Sequence, residues 1–212
     1  MTQKTISELL FELFCIDLNI PFTPIERTSQ KTPDYDVILG GHTVVTEVKQ
    51  CDPNEEDERH WANARSRGKG SAWGDSDRRI RLKIQASRKQ LKARSHGKLP
   101  ALLVVYDNGV FTGIDSTDIK TAMFGDEIVI ATLIDNTVID VNDIHPGGGR
   151  KLTENSNTSI SAVALMYESG PDTSLSVFHN HFATNPIDPN WFRDDRFRHF
   201  ALGNSPYEWG PV

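Results

Sequence analysis

The first periodic segment, residues 5–18 (TISELLFELFCIDL), repeats its apolar side chains at helical spacing, with Thr5 or Ser7 available as a cap and Glu8 in the first turn. Asn19 to Pro24, with prolines at 21 and 24, ends that helix, and 25–33 is a polar connection. Asp34 to Leu39 and His42 to Lys49 then read as two strands joined by Gly40-Gly41, glycines that supply the positive φ of a tight hairpin turn. Residues 51–76 carry many charges and no clear apolar period, and are expected to be irregular. Residues 77–95 return to helical spacing through Ile80, Ile84 and Leu91, and Leu99 to Asp107 is an almost continuous apolar run suited to a strand buried on both faces.

Farther along, Asp118 to Phe124 reads as a short helix. Glu127 to Asp135, Ser159 to Tyr167 and Ser174 to His179 read as strands, and Pro146 to Gly149 as a loop. Phe192 to Phe200 mixes charges with aromatics as a packed terminal helix or an interface would, inside a proline-rich tail that wraps the surface. The order α-β-β-α-β points to an α/β fold, a mixed β-sheet flanked by helices, with additional C-terminal strands. One domain over 1–212 is expected, with a core at about 5–135 and an elaboration at 136–212.

Composition changes this picture little. The 212 residues are 37% hydrophobic and 25% charged, as in ordinary globular domains. No run approaches the ~18 apolar residues that span a bilayer, and the N-terminal segment is interrupted by Glu8, Glu12 and Asp17, unlike a signal peptide. Cys15 and Cys51 have neither metal nor redox spacing and read as free thiols of a cytoplasmic protein. Charge matters more. The net charge of −6 conceals a segment from Arg59 to Lys98 with thirteen basic residues against only Asp75 and Asp77. A polyanion would be attracted to such a segment, by contacts that weaken with salt. Its cations include Arg65, Arg67, Lys69, Arg78, Arg79, Lys83 and Arg88, with Trp61 and Trp73 available to stack on bases or to pack.

The candidate chemistry sits on the hairpin. Residues two apart on a strand share a face, so Glu47 and Lys49 project together while Val48 points into the core. A two-residue turn returns the second strand alongside Asp34, bringing two carboxylates close enough to share a cation, and hard oxygen ligands favour Mg²⁺ or Mn²⁺. Taken alone, a Glu-x-Lys pair is more simply an ion pair on an exposed sheet face.

The whole segment TPDYDVILGGHTVVTEVKQ resembles the core motif of the PD-(D/E)XK nuclease superfamily, with Pro33-Asp34 as the first half and Glu47-Val48-Lys49 as the second. The resemblance extends over residues 5–106 through the order of helix, hairpin, helix and buried strand. It implies a restriction-endonuclease-like core and a Mg²⁺- or Mn²⁺-dependent nuclease, an endonuclease that hydrolyses DNA with a metal-activated water. Asp34 and Glu47 would be ligands, the Val48 carbonyl a third, and Lys49 would position the water or stabilise charge. A helix glutamate, Glu8 in preference to Glu12, would add a further ligand; Asp36 is a fallback, and Gln50 a polar neighbour on the opposite strand face. The following helix would approach the substrate, with Arg79, Lys83 and Arg88 on phosphates and Gln85 or Gln90 near the site. Many members dimerise to cut both strands, so a homodimer is a further implication. RNA in place of DNA, a catalytically inactive DNA-binding module, or a protein-interaction module are the rival readings. His179-Asn180-His181 spells HNH, but in nucleases of that name the three residues are dispersed over a ββα-metal unit.

Overall fold

The computed structural model describes residues 3–27, 31–68, 76–109, 113–135, 137–170, 172–202 and 209–211. The chain runs α1 (Ile6–Asp17), β1 (Phe22–Pro24), β2 (Tyr35–Leu39), β3 (His42–Cys51), α2 (Glu55–Arg67), α3 (Ser76–Ser95), β4 (Ala101–Asp107) and α4 (Ser116–Phe124). It continues through β5 (Glu127–Ile134), β6 (Thr137–Pro146), β7 (Ala162–Ser169), β8 (Asp172–His179), β9 (Phe197–Leu202) and β10 (Trp209–Pro211). Eight strands form one mixed sheet in the order β1-β2-β3-β4-β7-β8-β9-β10, and β5-β6 form a separate two-stranded sheet.

Each face of the large sheet has its own core. Phe11, Phe14 and Cys15 of α1 pack on Val44, Val48, Leu102 and Val104 on one side. Ile80, Ile84 and Leu91 of α3, with Ile119 and Met123 of α4, pack on Val45, Leu103 and Val105 on the other. The strands between must be apolar on both faces, as the run in β4 anticipates.

Local chemistry sets the ends of the elements. Thr5 and Glu8 form a capping box that starts α1, and Asn19 follows its last turn with φ +53°. Gly40 and Gly41 both have positive φ, and the hairpin they close is in register from Leu39–His42 to Tyr35–Thr46. Expected as irregular, residues 55–67 are helical instead. Asn54 and Asp57 make a capping box, four acids fill the first turn, Arg65 and Arg67 fill the last, and Gly68 closes it in the left-handed conformation. Capping and the helix dipole thus stabilise a helix whose apolar pattern is almost silent.

The tail also differs from expectation. Phe192–Phe200 is not a helix: Asp188 caps a single 3₁₀ turn at Pro189–Trp191, and Phe197 begins β9, which pairs in parallel with β8. Alternating burial of its aromatics explains this, since Phe197 packs on Phe14 and Phe200 stacks on Phe178. The sheet crosses the anticipated core boundary at 135, because β7 lies directly beside β4. Cys15 and Cys51 are free and buried, and among the described residues no helix is long and apolar enough to cross a membrane.

The hairpin turn is locked by the tail. Trp191 stacks on His42 at 4.1 Å, and a Cβ on Gly40 would lie 2.9 Å from both the Cα and the Cβ of Trp191, whereas one on Gly41 would meet open space. Gly40→Ala should therefore lower stability by about 1–3 kcal/mol more than Gly41→Ala in urea unfolding, since both share the positive-φ cost and only one adds a clash.

Candidate active site

Asp34 immediately precedes β2 and stands opposite Glu47 in the extended register, as Tyr35 pairs with Thr46 and the Asp34 N–H donates to the Thr46 carbonyl at 3.2 Å. Their side chains point to the α3 face, with Lys49 two residues beyond Glu47. All three line a cavity of about 530 Å³ at the end of the hairpin remote from Gly40-Gly41. Thr5, which caps α1, Glu8 of α1, Ala86 and Gln90 of α3, and Arg27, Lys31 and Thr32 complete much of its wall. A cavity of similar size, about 540 Å³, lies at the opposite end beside Trp191 and Arg193, and brings no such group of carboxylates together.

Glu47 is the unusual residue. It is only 1% exposed, and among the described residues its carboxylate meets Lys49 and Asp34 and no backbone or hydroxyl donor. The Lys49 ammonium abuts Oε1 as an ion pair. Burial, and then the adjacent Asp34 charge, push the Glu47 carboxyl up to about 7 against the opposing pull of Lys49. Asp34 is also raised, by burial, though its Oδ2 accepts the Val48 N–H at 2.9 Å, which favours the charged form. Two desolvated carboxylates side by side are a place for a proton or a cation, and oxygen donors of this kind suit Mg²⁺ or Mn²⁺. Among the described residues, no three His, Cys, Asp or Glu side chains are already arranged around a common metal position.

The remaining expected residues divide. Glu8 reaches the cavity, but its Oε2 accepts the Thr5 N–H at 2.8 Å and its Oε1 takes Arg27. Glu12 is turned away and pairs with Lys4 at 2.6 Å. Asp36 shares the face of Asp34, pairs with Arg94 of α3 and is not among the residues that line the cavity. Gln50 lines the cavity and accepts the Ser7 N–H at 3.0 Å, tying the start of α1 to the end of β3. Val48 buries its side chain under α1, as alternation requires.

The basic segment is less uniform than its composition. Arg79 braces α3 to α2 through Asp57 at 3.3 Å and also donates to the Asp52 carbonyl, so it is a structural tie before it is a phosphate contact. Arg94 and Arg81 are paired with acids as well. Arg65 lies over the Trp61 ring at 5.7 Å, and Arg65 and Arg67 are exposed on α2. Arg78 is exposed on α3, and Lys83 and Arg88 are half-buried there, with no ion pair among the described residues. Of the α3 glutamines, Gln90 reaches the site and Gln85 faces Arg88. Lys69 and Trp73 lie outside the described residues.

No protein-family model matches the chain, and no curated protein or solved structure matches it. The site therefore rests on its own geometry. Two cations on its wall, Arg27 and Lys31, escape a reading by periodicity because they sit in the polar connection 25–33. Their one signal is adjacency, within seven residues ahead of Asp34.

A carboxyl whose pKa is raised on folding keeps its proton in the native protein after the unfolded chain has lost it. Stability of the metal-free protein should therefore fall as pH rises from the ordinary 4.5 through about 7, and Asp34 adds to the same trend. Glu47→Gln should flatten that slope and be more stable above pH 8 by on the order of 2 kcal/mol, read from denaturant unfolding at a series of pH values.

Proposed function

We propose that this chain is a divalent-metal-dependent nuclease of the PD-(D/E)XK type, with a restriction-endonuclease-like core, that hydrolyses DNA phosphodiester bonds. The observation that carries the reading is Glu47: a carboxylate 1% exposed, held between the Lys49 ammonium and a second carboxylate, Asp34, in an open cavity. A surface ion pair would leave the acid in water. A purely structural Glu47–Lys49 pair would have no need of a second carboxylate, Asp34, set against it.

In this reading Asp34 and Glu47 hold Mg²⁺ or Mn²⁺, with the Val48 carbonyl as the further oxygen that the resemblance suggests. When bound, the ion lowers the pKa of a water and offsets negative charge on the phosphodiester. Lys49, on the same strand face, turns from Glu47 toward the attacking water or the charge that builds on the phosphoryl oxygens. The water would give up a proton to solvent as its oxygen bonds to phosphorus, and the leaving oxygen would take a proton from solvent as its bond to phosphorus breaks. Gln50 and the Thr5–Glu8 cap hold α1 against the end of β3 and fix the wall of the cavity. Lys83, three residues before the cavity-lining Ala86 on α3, and Lys31 on the cavity wall supply positive charge for the phosphate backbone, while Arg88 stands on another flank of the helix.

A module that binds nucleic acid without cutting it has one observation in its favour, since Arg27 already serves Glu8 and lies 3.6 Å from Asp34. Cleavage separates the two readings. Plasmid DNA should be cut in Mg²⁺ or Mn²⁺ and not in EDTA, and Lys49→Ala should lower the rate at least ~100-fold while circular dichroism and DNA retention stay near wild type. Full activity of that variant, or cutting in EDTA, would contradict the mechanism. Retention of DNA without cleavage under any divalent ion favours the inactive module. Glu47→Ala should weaken Mn²⁺ binding by calorimetry roughly 10-fold or more; unchanged affinity removes Glu47 from the ligand set.

A further inference from the structure

We propose that Arg27 is a built-in cation filling the position between Glu8 and Asp34, so that the site takes one divalent ion, between Asp34 and Glu47, and not two. The inference rests on the metal-dependent reading above and concerns how many ions that site admits.

Glu8 is 4% exposed, and both of its carboxylate oxygens are committed. Oε2 closes the capping box on the Thr5 N–H, and Oε1 takes the Arg27 guanidinium. The same Arg27 nitrogen lies 3.6 Å from Asp34 Oδ1. The other Asp34 oxygen accepts the Val48 N–H. One guanidinium nitrogen therefore sits between two shielded carboxylates from different elements, where a bridging cation would sit. On the far side of Asp34 Glu47 meets Lys49, which pairs with its Oε1. Both sides of Asp34 thus carry a cation of the chain, but Arg27 is shared between two acids, whereas Lys49 pairs with Glu47.

A guanidinium is charged at every working pH and has no lone pair to offer a metal. While it stays, a dication entering between Glu8 and Asp34 meets its repulsion and finds a donor already on each Glu8 oxygen. With Arg27 removed, two desolvated acids face a cavity open to water, the oxygen-rich setting that binds Mg²⁺ or Mn²⁺. Glu8, expected from the resemblance to be a metal ligand, becomes instead the anchor of Arg27.

The test is Mn²⁺ titration, by calorimetry and by electron paramagnetic resonance, of the full chain stripped of metal. Wild type should bind one ion, Arg27→Gln two, and Arg27→Gln with Glu8→Gln one. Glu8→Gln alone keeps the capping box, because glutamine serves there as well as glutamate. That variant should leave the wild-type affinity within about threefold, where loss of a ligand would cost at least ~10-fold. This second readout stands even if Arg27→Gln fails to fold. Folded Arg27→Gln that still binds one ion overturns the proposal, as does a ~10-fold loss in Glu8→Gln. Two ions on wild type overturn it while leaving the metal-dependent reading intact. No ion on wild type overturns both.

Discussion

The register of the β2–β3 hairpin constrains everything at the site. Because Tyr35 pairs with Thr46, Asp34 falls opposite Glu47, and both carboxylates must project toward α3. A slip of one residue would send Glu47 into the α1 core and Val48 toward the cavity. The turn that fixes this register, Gly40-Gly41, is covered by Trp191 from the tail. The last part of the chain thus helps to hold the first motif in phase.

Desolvation follows from the same geometry. β3 lies between two cores, so a carboxylate in its middle loses water whichever face it takes. Folding leaves Glu47 with Lys49 against one oxygen and the Asp34 carboxylate beside it, and raises its affinity for a proton. A domain that tolerates this cost in its interior is spending stability at one point, which is the usual signature of a functional site. The other acids nearby are each settled: Glu8 by its cap and Arg27, Glu12 by Lys4, Asp36 by Arg94.

Much of the framework is legible along the chain because its elements have strong local signals. Thr5 with Glu8 marks α1, the glycine pair marks the turn, and the apolar run to Asp107 marks β4. Helix α2 is missed because its stability comes from caps and end charges, and its thirteen residues bury only Asp57. Strand β9 is missed because FRDDRFRHF places aromatics where helix and strand periods both fit, and only pairing with β8 decides. At the site, the pairing of Asp34 with Glu47 and the shared face of Lys49 follow from strand alternation. The roles of Arg79 and Arg27 do not, since each depends on a partner distant in sequence or set in a loop. A basic composition is likewise a poor guide to a basic surface where Arg79, Arg81 and Arg94 are held by acids.

The central claim is that Asp34 and Glu47 share a divalent cation. Its most direct test is a crystal of the full chain soaked in Mn²⁺ and measured for anomalous scattering. The account predicts one peak between the two carboxylates, with Lys49 moved off Glu47. A crystal saturated with Mn²⁺ that shows no peak there, and Lys49 still closed on Glu47, would contradict it.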